Sequence, residues 1–289
     1  MSNVDKKSVK YLLLGAGYTL SRLCREIDPA LFIATTRSQE KLAALKLLGY
    51  NAEIGNIADI SSIEKIFNKY PFLEKVLDSA PPLNEDNEEL SRFSALLEKR
   101  RLKHIIYLST SGVFGVDDGS WVDESSKANP NNAKSRARLK AEEIYRRSNL
   151  KFTAFRVAAI YGPGRGIGTA LKEGRYKIIS EANRWSNRIH VDDLVAACKK
   201  ALLCEEHSKI ADIICLSDNK PTTVKEIVEF YTRRFRLPFP DTISIEQAKA
   251  ANLHSLSSNQ RIDNKRLREF LQNELQYPSY MEGAETEFC

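Results

Sequence analysis

Gly15-Ala16-Gly17-Tyr18-Thr19-Leu20 is the stretch whose residue types and spacing point most directly to chemistry. Two glycines leave backbone N–H groups uncovered by any Cβ. Where a helix starts behind them, its free N–H groups and its dipole favour a phosphate. That is the physics of dinucleotide binding. The third glycine of G-x-G-x-x-G is replaced by Leu20. That glycine serves close helix–strand packing, so a pyrophosphate cradle stays open. Alone, the segment reads equally well as a tight strand-to-helix turn.

A second position with chemical meaning is Thr36-Arg37, at the end of the next apolar run. An acidic residue there binds a free ribose 2′-OH, and an arginine accommodates a 2′-phosphate. No Asp or Glu stands at this strand end, so NADP is the expected cofactor and NAD the alternative. The competing reading is an ordinary surface arginine. Lys134 and Arg138 are four residues apart on a charged helical stretch, and residues so spaced share one helix face. Lys134 would act as a general base only with its pKa lowered by burial or by a neighbouring cation such as Arg138. Arg138 would be a permanently charged donor to ribose or phosphate. Otherwise Lys134, Arg136, Lys140, Arg146 and Arg147 are a solvated basic face.

His190 would either contact substrate or make a structural hydrogen bond. Asp192-Asp193 stands at a helix start, where carboxylates favour the dipole, and no ligand cluster accompanies it, so no metal is expected. Tyr161 and Arg165 flank a Pro-Gly turn where a ligand crevice is expected, and they serve either that crevice or the turn itself. Arg165, Lys172, Arg175, Lys177, Arg184 and Arg188 crowd one region. They suit a phosphorylated or nucleotide-linked small molecule, or form a basic surface insert.

The elements that must position these residues alternate. Apolar runs at Tyr11–Leu14, Leu31–Thr36, Asn51–Asn56, Glu74–Ala80 and His104–Ser109 are separated by helical stretches beginning near Tyr18, Gln39, Ser61 and Glu85. Strands separated by helices in this rhythm mean βαβ units and a parallel sheet. The rhythm continues less regularly through a helix at 133–148, a strand at 152–157, a helix at 191–203 and a strand at 211–216. A further helix starts at Pro221-Thr222-Thr223, and Leu237-Pro238-Phe239-Pro240 reads as a linker.

The 289 residues are 42% hydrophobic and 28% charged, with a formal net charge of +6. That is an ordinary soluble composition, and the mild positive charge suits an anionic small molecule. No aromatic–glycine nucleic-acid signature is present, so no nucleic-acid partner is expected. Five cysteines have neither metal nor disulfide spacing, which fits a reducing compartment. No apolar run reaches transmembrane length, and about eight residues before the first strand are too few for a signal peptide. A cytoplasmic protein without a membrane partner is the expectation.

Five segments in order resemble the extended short-chain dehydrogenase/reductase superfamily, the NAD(P)-dependent epimerases and dehydratases. They are the glycine turn, Tyr107-Leu108-Ser109-Thr110-Ser111-Gly112-Val113-Phe114-Gly115, Phe155–Arg165 with its Tyr161-Gly162-Pro163-Gly164, Arg188-Ile189-His190-Val191-Asp192-Asp193-Leu194, and Arg261–Leu267 with Tyr277-Pro278. The resemblance implies a Rossmann-type doubly wound parallel sheet with a smaller C-terminal substrate lobe. Residues 1–160 and 186–217 would form the dinucleotide-binding domain, and 161–185 and 218–289 the lobe. Gly15, Gly17, Tyr18, Thr19 and Leu20 would hold the pyrophosphate. Thr36 and Arg37 would reach the adenosine ribose, and Ala80, Pro81 and Ser109 would line the cofactor. Thr110 or Ser111 would bond the reacting oxygen. Pro82, Tyr161, Arg165, Arg188 and His190 would meet substrate. A homodimer through two long helices per subunit is common in the superfamily.

Members that oxidise a hydroxyl use a tyrosine with a lysine four residues on, but none of the 11 tyrosines here has one. Counting back from Ala141-Glu142, those two positions hold Lys134 and Arg138. The chain therefore resembles the atypical subgroups that keep the fold and lose the tyrosine. Two functions follow as expectations. One is an oxidoreductase or epimerase acting on a sugar-nucleotide-like or small carbonyl or hydroxyl substrate. The other is a weakly active or inactive dinucleotide-binding redox sensor.

Overall fold

A computed structural model describes residues 6–82, 85–100, 102–180, 183–250, 259–272 and 275–289. The first strand, β1 (Tyr11–Leu14), is buried at all four positions, as a two-sided parallel strand must be. It pairs in parallel with β2 (Phe32–Thr36) and β4 (Lys75–Asp78), while β2 pairs with β3 (Ala52–Ile54) and β4 with β5 (His104–Thr110). Strands Lys151–Val157 and Ile213–Leu216 extend the sheet beyond β5 to seven strands. The order runs Ile213–Leu216, Lys151–Val157, β5, β4, β1, β2, β3. The parallel sheet is the one expected from the alternation, and the α/β Rossmann-type arrangement is the one the resemblance implies.

The chain divides into two compact units. One comprises Met1–Ser109, Arg136–Phe155 and Val195–Ile214, and the other Thr110–Ser135, Arg156–Leu194 and Cys215–Cys289.

In the first unit, α1 (Tyr18–Glu26) buries Leu20, Leu23 and Cys24, and α3 (Ile60–Lys69) buries Ile63, Ile66 and Phe67. These are the i, i+3, i+4 faces of amphipathic helices. Between them, α2 (Gln39–Leu47) is capped by Ser38, whose Oγ accepts the Lys41 N–H at 3.3 Å. The helix expected from Glu85 starts later, as α4 (Glu88–Lys99). Asn87 adopts φ +55 and donates through Nδ2 to Ala137 O at 3.0 Å, so the turn before Glu88 is left-handed and cannot be helix. The charged helix is α5 (Ala133–Arg146). Lys75, at the start of β4, is buried and sends Nζ to Leu202 O at 2.7 Å and Cys204 O at 2.5 Å. It thereby satisfies carbonyls at the C-terminal end of the helix Val191–Leu203, where a cation also meets the negative dipole end.

In the second unit a separate apolar cluster joins Tyr161, Leu171, Ile178, Ile227, Val228, Tyr231, Tyr280 and Ala284. Its main helix, Val224–Phe235, opens on a capping box between Thr223 and Glu226. The helix expected from Pro221-Thr222-Thr223 starts later, at Val224, because Thr222-Thr223 is drawn into a short strand and Thr223 serves as the cap. Short strands complete this unit. Arg188–His190 pairs in parallel with Ala159–Tyr161, and Trp185-Ser186 pairs antiparallel with Thr222-Thr223. No helix among the described residues is long and apolar enough to cross a membrane.

Candidate functional site

The two glycines of the first turn are required for different reasons. Gly15 has φ +84, and a Cβ there would lie 3.2 Å from Ala80 N and 3.4 Å from Ala80 Cα. Its N–H donates to Thr35 Oγ1 at 3.2 Å, and Ser79 Oγ donates to its carbonyl at 2.7 Å. Gly15 therefore makes the turn and the close packing against the end of β4. Gly17 has an ordinary extended conformation, and a Cβ there would meet only Gly15 O, at 3.9 Å. It stands at the N-cap of α1 with no side-chain cap and no acidic residue in the first turn. A helix start left open in this way fits a phosphate. Leu20, in the third glycine's place, is fully buried, and Thr19 is nearly so. Leu20 therefore packs inward.

At the end of β2, Thr36 Oγ1 accepts the Ser38 N–H at 3.2 Å. Arg37 stands exposed between the two. Among the described residues no protein group bonds its guanidinium.

Arg138 is held firmly. Its Nη1 donates to Ala80 O at 3.3 Å, Tyr107 Oη at 3.1 Å and Leu108 O at 2.7 Å. It thus ties the segment after β4 to β5. Beneath it, Asp78 is wholly buried. Its carboxylate accepts Tyr145 O–H at 2.7 Å and Ala80 N–H at 2.8 Å. Burial pushes the Asp78 pKa up to about 6, against the hydrogen bonds and Arg138, which favour the charged form. Tyr145 is consumed by this contact and is fully buried. Arg138→Met leaves two backbone carbonyls short of a donor. It is expected to lower stability by about 2–4 kcal/mol at this half-buried position. Chemical denaturation reads this directly, and an unchanged midpoint would refute the tethering role. Ser109 Oγ donates to the buried Glu142 carboxylate at 2.5 Å, so its hydroxyl proton is committed within the protein.

In the second unit, Thr110 Oγ1 accepts the Gly112 N–H at 3.2 Å and caps the short turn Ser111–Phe114. A Cβ on Gly112 would come within 2.7 Å of Ser135 Oγ, so this turn lies tight against the start of α5. Ser111 O accepts from Gln260 Nε2 at 3.0 Å. Lys134 is exposed in the first turn of α5, and Arg138 follows four residues on along the same helix. In the first unit, Pro82 is half-buried and Pro81 exposed in the segment after β4.

Arg188 is 6% exposed. Among the described residues its guanidinium makes one hydrogen bond, Nη1 to Ser186 Oγ at 3.1 Å, and no carboxylate lies within 4 Å. A buried charge normally pairs or is hydrogen-bonded throughout. This one has a single hydrogen bond and no carboxylate partner among the described residues.

The other residues expected near the substrate in this unit are placed differently. Tyr161 is buried, with its hydroxyl donating to Ser279 O at 3.0 Å, and burial holds its pKa far up. Arg165 is exposed in a tight turn closed by paired backbone bonds with Gly162. His190 is fully buried. Its Nδ1 accepts the Asp192 N–H at 3.2 Å, so Nε2 carries the proton and donates to Thr286 Oγ1 at 2.9 Å. Asp193 accepts the N–H groups of Gln276 and Tyr277 at 2.8 and 3.1 Å and fastens the C-terminal segment. Among the described residues no group of three or more His, Cys, Asp or Glu could hold a metal.

Two acids escaped the sequence reading. Asp218, 2% exposed, follows the strand Ile213–Leu216. Glu287, also 2% exposed, accepts the Thr169 N–H at 3.1 Å and the Tyr231 hydroxyl. The only local signal was the place of Asp218 just past an apolar run. For Glu287 no local signal existed, since its partners lie far away in sequence.

A parallel sheet with a glycine turn leading into an open helix start defines an α/β protein of the dinucleotide-binding class. The chain belongs to the NAD dependent epimerase/dehydratase family, whose model matches residues 12–214. Among solved structures it is similar to a conserved protein of unknown function from Silicibacter pomeroyi, at 26% identity and TM-score 0.79, covering 96% of this chain and 97% of that one. It shares its fold with the UDP-glucuronic acid 4-epimerase of Bacillus cereus, solved with NAD, at 16% identity and TM-score 0.77, covering 96% and 97%. The UDP-glucose 4-epimerase of Thermotoga maritima, solved with UDP-glucose, is likewise similar in fold, at 18% identity, TM-score 0.77 and 96% and 97% coverage. Among curated proteins none matches the sequence significantly.

Proposed function

We propose that this protein is an NADP-dependent enzyme of the epimerase/dehydratase type, acting on a phosphorylated or nucleotide-linked sugar-like substrate. The observation that carries the reading is Arg188, a buried guanidinium with one protein hydrogen bond and no carboxylate partner among the described residues. The sugar nucleotide bound by the Thermotoga maritima neighbour is a ligand of that chemistry.

The first unit holds the dinucleotide in this proposal. Gly15, Gly17, Tyr18, Thr19 and Leu20 form the turn under the pyrophosphate. Thr36 and Arg37 receive the adenosine ribose and its 2′-phosphate, and Ala80, Pro81 and Ser109 line the nicotinamide side. Arg138 fixes the Ala80 carbonyl and keeps its Nη2 and Nε for the ligand. The nicotinamide, when bound, supplies reversible hydride transfer. In the second unit Thr110 and Ser111 orient the reacting oxygen and Lys134 exchanges its proton. Arg188 anchors the phosphoryl oxygens, and Tyr161, Arg165 and His190 complete the surroundings of the substrate within that unit.

The Arg37 assignment separates NADP from NAD. Arg37→Ala is expected to weaken NADPH about tenfold or more, the scale of one charge-assisted phosphate contact, and NADH hardly at all. Fluorescence titration of both reduced cofactors is the measurement, and equal losses overturn the NADP choice.

Two observations favour a second reading, a dinucleotide-binding sensor without turnover. No tyrosine has a lysine four residues on, and Arg138 Nη1 is bound by three protein acceptors. Titration with NAD, NADH, NADP and NADPH, followed by hydride-exchange assays on a panel of nucleotide sugars and small carbonyls, decides between them. Turnover that Lys134→Ala abolishes supports the enzyme. Tight NADPH binding with no exchange on any substrate supports the sensor.

A further inference from the structure

Among the described residues of the second unit, Asp218 is the most thoroughly buried acid that lacks a complete set of partners. Its Oδ1 accepts the Lys220 N–H at 3.1 Å, and its own N–H donates to Arg188 O at 2.6 Å. Its Oδ2 is shut off from solvent and has no hydrogen-bond partner among the described residues. A buried carboxyl oxygen left in this way costs the full desolvation of the group, and folded proteins keep such an atom mainly where something else supplies its partner. Arg188 is in the complementary condition, a buried guanidinium with one bond. The backbone bond brings the two residues side by side, yet their side chains form no ion pair within 4 Å. Both groups act on the hydroxyls of Tyr161 and Tyr280, the carboxyl pushing their pKa values up and the guanidinium pulling them down. Asp193 and Glu282 also bear on Asp218, both disfavouring its charge, and burial outweighs Arg188.

We propose that Asp218 contacts the ligand, taking a hydrogen bond at Oδ2 from a hydroxyl of the same molecule whose phosphoryl oxygens Arg188 holds. The inference rests on the anion-site reading of Arg188 and narrows it. The ligand must carry a hydroxyl within one molecule's reach of its phosphate, as sugar phosphates and nucleotide sugars do, so a bare polyphosphate satisfies only half of the site.

The test uses two probes, UDP-glucose, which carries sugar hydroxyls, and inorganic pyrophosphate, which has no carbon-borne hydroxyl. Calorimetric titration of the full chain compares wild type, Asp218→Ala, Asp218→Asn and Arg188→Met. Asp218→Ala is expected to weaken UDP-glucose at least tenfold and pyrophosphate less than twofold. Asp218→Asn, which keeps an oxygen for the Lys220 turn, shifts the ratio of the two affinities in the same direction by a smaller factor. Arg188→Met loses both probes. An unchanged ratio in both Asp218 variants, with pyrophosphate still bound by wild type and lost in Arg188→Met, overturns the role of Asp218 alone. Failure of wild type to bind pyrophosphate overturns the Arg188 reading and the Asp218 role together.

Discussion

Gly15→Ala is expected to abolish dinucleotide binding at ordinary cofactor concentrations, whereas Gly17→Ala leaves a folded protein with a milder defect. The difference follows from the two backbones. Gly15 has φ +84, where an L-residue costs about 1–2 kcal/mol before any contact is counted. The new methyl would also stand 3.2 Å from Ala80 N and 3.4 Å from Ser79 Oγ. The nitrogen belongs to backbone, so the turn or the segment after β4 must shift. That segment carries the Ala80 carbonyl bound by Arg138. Every group assigned to the cofactor on that side moves with it, and a loss of about a hundredfold corresponds to less than 3 kcal/mol. At Gly17 the added methyl meets nothing of the protein closer than 3.9 Å. Its effect is confined to the approach of a ligand. NADPH fluorescence titration together with thermal melting separates the two outcomes. Normal NADPH affinity in Gly15→Ala would remove this turn from the cofactor site.

The second large effect is on stability against pH. Burial lifts Asp78 to about 6 and Asp218 to about 7 in the folded protein. Both are therefore raised above their unfolded values near 4. A raised acid binds its proton more tightly when folded. Its favourable contribution is complete below pH ~4 and is lost as pH rises through the folded value. For Asp218 the shift amounts to about 4 kcal/mol between the two limits, and for Asp78 about 3 kcal/mol. Asp218→Asn should therefore gain stability relative to wild type between pH 5 and pH 8, with the gain levelling off above pH 7. Asp78→Asn should follow the same course about one pH unit lower, offset by a weaker bond with Tyr145. Urea denaturation across this range is the measurement. A constant difference between wild type and Asp218→Asn would mean that the carboxyl is ionised throughout.

How much of this was legible in the sequence depends on how far each feature reaches along the chain. The β1 turn, the helix behind it and the arginine after β2 are written in contiguous residues, and the parallel sheet follows from the alternation of apolar runs and helical stretches. The count that put Arg138 in place of a family lysine also depended on one helix alone. The unusual start of α4 did not follow from pattern, because Asn87 is turned by a bond to Ala137, 50 residues away. Arg188 was visible as one of several crowded bases, but its isolation from carboxylates was not. Burial is a property of the whole fold, and basic residues that look equivalent along the chain end up exposed, as Arg165 does, or enclosed, as Arg188 does. Asp218 and Glu287 were invisible for the same reason. Glu287 finds Thr169 across 118 residues, a separation that no local periodicity encodes.

The chain passes between its two units five times, since each is assembled from three separate segments. Neither unit can therefore be excised as a continuous piece of gene, and an exchange of substrate units between relatives by a single crossover would splice fragments of both. The same threading bears on synthesis. The first unit lacks its Val195–Ile214 segment until well after the second has begun to emerge, so closure of the long-range pairings waits on distant residues, a condition that slows folding. Recombination within this family should accordingly succeed by loops and point changes rather than by wholesale transplantation of a half.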